Sequence, residues 1–240
     1  MAPPSTTTTT TTTTTAAAAA AAATNNDAEP YILLLSLSIS PLFSINYGSF
    51  ITKLAGKGKV KRVKTHESAA RILAPEQPAP SVILVTDPAI LIPDNDEVLD
   101  PVIRYIREGG TCVLMGEVYC MVSMFGNNFF ERAGLPWECA GNVLGKFVLN
   151  PSAVDPVGDD GLAGKLPQRY GRDAVFVKNV KPEEAWYLNE DEWVYQTSGK
   201  ALGRAPVAMA RVGREKLGYV GDAKAEGGSE DVVFAMCGLL

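Results

Sequence analysis

Histidine is almost absent from this chain: His66 is the only one, and the four cysteines, Cys112, Cys120, Cys139 and Cys237, show no C-x-x-C spacing. A Cys/His zinc centre therefore has little to draw on, and no metal and no cofactor is expected. Phosphate loops are missing too. Neither G-x-x-x-x-G-K-[ST] nor a G-x-G-x-x-G after a first strand occurs, which removes direct support for nucleotide binding. Excess positive charge is lacking: 22 Lys and Arg against 27 Asp and Glu leave a formal charge of -5. General affinity for nucleic acid needs clustered cations that release counterions, so no nucleic-acid partner is expected. There is also no uninterrupted apolar run of about 20 residues, the length a membrane span requires. The stretch "YILLLSLSISPLF" (31–43) alternates serine with aliphatics and is broken by Pro41. The expectation is a cytoplasmic protein with reduced thiols, away from membranes.

What is present divides in two. Residues 1–29 are a Thr run, an Ala run and a polar joint without one basic residue, which fits neither a secretory signal nor a mitochondrial presequence. Small and polar side chains bury too little apolar surface to offset chain entropy, so a disordered tail is expected there. Residues 30–240 are expected to form one domain. Its pattern alternates strand-like and helix-like segments: a strand over Tyr31–Ile39, a helix over Leu42–Ala55, a short strand over Lys59–Lys64, a helical turn over Ser68–Leu73 and a strand over Pro80–Asp87. A helix over Asp96–Glu108 follows, with Val98, Leu99, Val102, Ile103 and Ile106 on one side, then a strand over Thr111–Met115. Such alternation predicts an α/β fold with right-handed crossovers and a doubly wound, mostly parallel sheet flanked by helices. Residues 141–171, rich in Gly, Pro and Asp, read as a surface excursion before a strand at Ala174–Val177. Two strands joined by a tight turn at Gly213–Glu215 and a final helix over Ser229–Leu239 close the chain.

Three stretches carry a resemblance: "YIREGG" before "TCVLMG", "GLAGKLPQRY" leading into a strand, and "PVAMARVGREKLGYVGD". Their order is similar to that of the class I glutamine amidotransferase-like superfamily, nearest to its ThuA-like (trehalose-utilisation) branch. The resemblance implies a flavodoxin-like sheet. It also implies a G-x-C-x-G elbow with a later His and acid, and this chain departs from that pattern. At the elbow it reads "MGEVYC", with Glu117 directly after the glycine, and His66 precedes the elbow instead of following it. ThuA-like proteins usually carry histidines after the fourth and last strands, where this chain has Glu117 and Asp222. Without an imidazole to take a nucleophile's proton, glutaminase chemistry is not expected.

Cys120, three residues beyond Glu117, is the residual nucleophile candidate, against the reading that it is a small buried hydrophobe with no cation to activate it. His66 is weighed as a base against an exposed or locally bonded residue. Lys57, Lys59, Lys61, Arg62 and Lys64 are read chiefly as protection of an edge strand. Trp137 and Trp186 are read as packing residues covering sheet edges. What remains is a set of polar groups just past the strands: Ser38 and Ser40, Asp87, Glu117, and Asp222 with Glu226. Parallel sheets bind ligands beyond the carboxyl ends of their strands, so these six form a candidate rim, with helix capping as the competing account. Two functions stay open. One is a non-catalytic or divergent amidotransferase-like domain that binds a small polar ligand or a protein partner; a homo-oligomer is compatible with it. The alternative is a hydrolase that acts on a carbohydrate or related polar metabolite through carboxylates.

Overall fold

The computed structural model describes residues 29–38, 41–92, 95–118, 122–155, 161–190, 203–212, 215–222 and 228–240. The tail expected to be disordered therefore lies outside the described residues, apart from Glu29.

One end of the molecule is built from parallel strands. β1 (Tyr31–Leu35), β2 (Lys59–Val63), β3 (Val82–Val85) and β4 (Thr111–Leu114) pair in parallel in the order β2-β1-β3-β4, and β4 then pairs in parallel with β10 (Glu215–Val220). Of these, β1, β3 and β4 are buried on both faces and β2 forms a partly exposed edge. β3 reads "VILV" and every residue is buried, as a strand covered by helices on both sides requires. Successive side chains alternate between two cores: Leu33 and Leu35 point to one, Ile32 and Leu34 to the other. The first core is covered by α2 (His66–Ile72), α3 (Asp96–Arg107) and α4 (Asn127–Arg132); the second by α1 (Phe43–Ala55), α5 (Pro151–Val154) and α6 (Gly228–Met236). α1 buries Phe43, Tyr47, Phe50 and Leu54, a stripe at helical spacing, and Phe50 stacks on Phe234 of α6 at 5.3 Å. Such a ring pair adds roughly 0.5–1.5 kcal/mol to the burial itself. α2 begins where the Thr65 hydroxyl accepts from the Ser68 amide at 3.3 Å.

The other end is antiparallel, so the expectation of a mostly parallel sheet holds for one end only. β9 (Val207–Val212) and β10 form the expected hairpin, and the order continues through β7 (Ala185–Asn189), β5 (Glu138–Leu149), β6 (Arg169–Lys178) and β8 (Arg204–Ala205). Two readings are corrected here. The segment 141–171 is not a surface excursion, because its first part completes β5, whose hairpin with β6 runs from Glu138↔Lys178 to Val148↔Arg169. Nor does Trp186 cover a sheet edge: it lies in β7, between β9 and β5 and buried throughout.

The antiparallel strands coil until β6 meets the end of β10. Ala174 bridges Asp222, the Val175 amide donates to the Gly221 carbonyl at 3.0 Å, and the Tyr219 hydroxyl donates to the Val175 carbonyl at 2.7 Å. Gly221 makes this seam possible. A Cβ there would stand 2.1 Å from the Val175 carbonyl oxygen, well inside contact distance.

Candidate functional site at the carboxyl edge of the parallel strands

The strand registers fix one row across the sheet: Val63, Leu35, Val85, Leu114 and Tyr219 are cross-strand neighbours in that order. Parallel strands end on one side, so whatever follows this row projects from a common edge. Beyond Leu35 come Ser36 and Ser38; beyond Val85, Thr86 and Asp87; beyond Leu114, Gly116 and Glu117; beyond Tyr219, Gly221 and Asp222. The chain leaves β1 toward β2 on one side and returns to β3 on the other, so the gap between the β1 and β3 ends is the topological switch point, the usual place for a ligand in an open α/β sheet.

Asp87 stands at that point. It is 2% exposed, and its Oδ1 accepts from the Ala89 amide at 3.0 Å and from the Ser38 hydroxyl at 3.2 Å. The first bond caps the 3-10 turn Pro88–Leu91, so the capping account is correct for one of its two oxygens. The other oxygen, Oδ2, is buried and meets no hydrogen-bond partner among the described residues. Burial pushes the Asp87 carboxyl above the ordinary carboxylate range, against the pull of the Ala89, Ser38 and Leu37 amides and the Ser38 hydroxyl.

Arg62 joins the same place from the edge strand β2. Its guanidinium lies 3.4 Å from the centroid of the Phe43 ring and donates through Nη2 to the Ser36 hydroxyl at 2.9 Å. Partial burial draws its pKa down from the usual value, while the charge of Asp87 acts in the opposite direction. Its Nε is buried and has no partner among the described residues. An unsatisfied buried donor and an unsatisfied buried acceptor thus occur in two side chains that sense each other's charge. Each such group costs roughly 1–3 kcal/mol when left unanswered.

Sequence reasoning missed Arg62, because it stands in a lysine-rich strand and was grouped with edge protection. Lys59 and Lys61 are exposed on that edge strand, as edge protection requires. Arg62 turns inward instead, since Phe43 offers it an aromatic face and Ser36 an acceptor.

The elbow after β4 is set by Gly116, whose φ of 66° is left-handed and whose Cα faces the Tyr47 hydroxyl so closely that a Cβ would lie 2.6 Å from it. The Glu117 amide then donates to the Thr86 carbonyl at 3.0 Å, which brings Glu117 beside the Asp87 loop. Asp222 ends at the same edge but is 2% exposed beneath β6. Ser40, Glu226 and Cys120 lie outside the described residues. His66 is the first residue of α2, and its Nε2 is buried with no hydrogen-bond partner among the described residues. Of the described cysteines, Cys112 and Cys237 have thiols pushed upward by burial, which is the opposite of activation. Trp137 is a packing residue whose indole donates to Glu184 at 3.0 Å. No group of three or more His, Cys, Asp or Glu among the described residues has a metal-holding arrangement, and none of their helices is long and apolar enough to cross a membrane.

No family model and no curated protein matches the chain. Solved structures do. The fold is similar to that of a ThuA-like protein from Bacteroides uniformis, with a TM-score of 0.56 and 13% identity over 90% of this chain and 93% of that one. A second ThuA-like protein, from Parabacteroides merdae, gives 0.51 and 11% over 88% and 89%. A β-galactosidase from Bacillus circulans sp. alkalophilus gives 0.52 and 12%, over 88% of this chain but 31% of its own. At these identities the likeness speaks for architecture, and the chain shares its fold with the ThuA-like proteins.

Proposed function

We propose that this is a ThuA-like domain of the class I glutamine amidotransferase-like superfamily, flavodoxin-like and doubly wound in its parallel half, that has lost glutaminase chemistry and binds a small hydroxyl-rich ligand of the carbohydrate class. The observation that carries the reading is the pair of unsatisfied buried atoms at the switch point, Arg62 Nε and Asp87 Oδ2. A hydroxyl answers both: it accepts from the guanidinium and donates to the carboxylate. Ser36 and Ser38 hold the two side chains in place from the β1 loop, and the Glu117 backbone is tied to the neighbouring Thr86 carbonyl. The structural neighbours are in keeping with this ligand class, since one set is named for ThuA and another acts on a galactoside. In the β-galactosidase the shared fold is a minor part of a larger enzyme, as suits a binding or auxiliary domain.

The carbohydrate-hydrolase reading rests on one observation, the raised proton affinity of Asp87, which is a property of a general acid. The two readings separate in a single experiment. A panel of mono- and disaccharides, trehalose and galactosides included, is screened by thermal shift and then by product analysis. Binding raises the melting temperature by mass action, and about 2.7 kcal/mol of stabilisation is expected at a hundredfold excess over Kd. Stabilisation without turnover, lost in Arg62→Met and in Asp87→Asn, supports the binding domain. Turnover lost in the same variants supports the hydrolase. If no saccharide shifts the native protein, or if the variants respond as the native protein does, the ligand class is wrong.

A further inference from the structure

A well-formed cavity lies away from the carboxyl edge. It encloses about 510 Å³, within the size range of small-molecule sites, between α6, α5 and the face of β7, β9 and β10. Its floor is apolar, formed by Trp186, Met209 and Met236. Gly218 in β10 lets both methionines settle onto the sheet beneath that floor: a Cβ there would meet the Met236 and Met209 sulfurs at 2.8 and 3.2 Å, so both thioethers converge on a position that has no side chain. Methionine is flexible and polarisable, and suits a floor that must fit a guest.

The mouth is cationic in an unusual way. Arg211 and Lys216 are directly opposed across the antiparallel β9–β10 pair, both exposed, and they project on the same face as Met209 and Gly218. Like charges in direct opposition repel, and neither cation has an acid within ion-pair distance among the described residues. Two acids do line the cavity. Glu184 is consumed internally, by the Trp137 indole at 3.0 Å, the Lys181 amide at 3.2 Å and the Lys181 ammonium at 3.2 Å. Glu183 is exposed and makes no ion pair with either cation among the described residues. An anion placed between Arg211 and Lys216 would turn the repulsion into two attractive contacts.

From this geometry we infer a second binding site, for a small anion with an apolar body: a carboxylate, sulfonate or phosphate held by Arg211 and Lys216, with an aromatic or alkyl portion laid on Trp186 and the two methionines. Lys216 is the second residue of β10, so this site lies at the amino end of the strand beyond whose carboxyl end Asp222 follows. It is independent of the carbohydrate reading.

The full chain is titrated with anilinonaphthalene sulfonate and, in parallel, with phenylnaphthylamine, the same aromatic body without the anion. Near-ultraviolet circular dichroism verifies that the fold persists. The sulfonate probe is expected to bind saturably at one site, and Arg211→Glu with Lys216→Glu to weaken it about tenfold or more, as the loss of charge-assisted contacts implies. Phenylnaphthylamine should bind more weakly and ignore the reversal, and Asp87→Asn should change neither. If the reversed protein does not fold, Lys216→Gln alone serves, with a smaller loss in the same direction. The inference is overturned if the native protein shows no saturable sulfonate binding, if that binding survives charge reversal, or if both probes respond to it alike.

Discussion

The two halves of the sheet dispose of their strand ends differently. In the parallel half, the ends of β1, β3 and β4 pass into loops that present Ser36, Ser38, Asp87 and Glu117 at an edge where no other strand crosses among the described residues. In the antiparallel half, β6 folds back over the end of β10 and buries Asp222 against Ala174. Two acids that occupy equivalent places in sequence, each just beyond an apolar strand, thus acquire different surroundings. Asp87 stands at a switch point with no strand over it among the described residues, whereas Asp222 lies within a seam. Position beyond a strand is therefore not enough to make a site. What crosses over the strand end decides it.

The seam is the place to break this contrast. Gly221→Ala would drive a methyl group into the Val175 carbonyl, and since both sides of the contact are backbone, relief requires the strands to part. A loss of about 3 kcal/mol is expected in chemical denaturation, the upper part of the range for overpacked cores. If the coupling of the halves runs through this contact, the variant should also expose Asp222 while leaving the saccharide response of the parallel half intact. An unchanged unfolding midpoint would show that the seam carries little of the stability.

Asp87 sharpens the contrast with a smaller effect and a change of sign. Its pKa in the fold is raised, chiefly by burial, so the folded state holds the proton more tightly than the unfolded chain. Its contribution to stability is then complete below the ordinary carboxylate range and is lost as pH rises through the folded value, which leaves a cost at neutral pH. Asp87→Asn removes that cost while keeping an oxygen for the Ala89 amide, so the melting temperature should rise at neutral pH, by roughly 2–4 °C for each 1 kcal/mol recovered. The gain should shrink as pH falls toward the ordinary carboxylate value. Asp87→Ala also loses the cap and should be less stable than Asp87→Asn by about 1 kcal/mol. A residue that lowers stability and yet is required for ligand response behaves as a functional group does; if Asp87→Asn instead destabilises at neutral pH, Asp87 is structural.

How far the sequence could be read follows the same division. The parallel half was legible because strands buried on both faces are continuous apolar runs, as in "VILV", and the helices between them repeat at three and four, as in α3. The placement of Asp87 and Glu117 just beyond β3 and β4 was legible for that reason. The antiparallel half was obscure. β5 reads "ECAGNVLGKFVL", where Gly141, Asn142 and Gly145 resemble loop punctuation, and a bulge between Cys139 and Gly141 disturbs the alternation. β7 is five residues long and follows "KPEE", so nothing local announces it. Arg62 could not be singled out because what distinguishes it from its lysine neighbours is an aromatic ring and a hydroxyl brought in by other elements. The cationic opposition of Arg211 and Lys216 became meaningful only with the cavity behind them.

The smallest expected effect concerns the outer part of the antiparallel half. Along β5, Phe147 is fully buried and packs against Tyr170 and Phe176, while Leu144 is 82% exposed. An exposed leucine on a strand loses almost nothing when it becomes polar, and threonine suits an extended backbone, so Leu144→Thr should change stability by no more than about 0.5 kcal/mol. Phe147→Ala, three residues further on, should cost about 3–5 kcal/mol by leaving a cavity among aromatic rings. The ratio matters more than either value. A large loss at Leu144, growing with protein concentration, would mean that this part of the hairpin is covered by a second copy in solution, and the antiparallel half would then be an interface. A small loss independent of concentration leaves β5 as a strand whose inner residues hold the fold and whose outer ones face water.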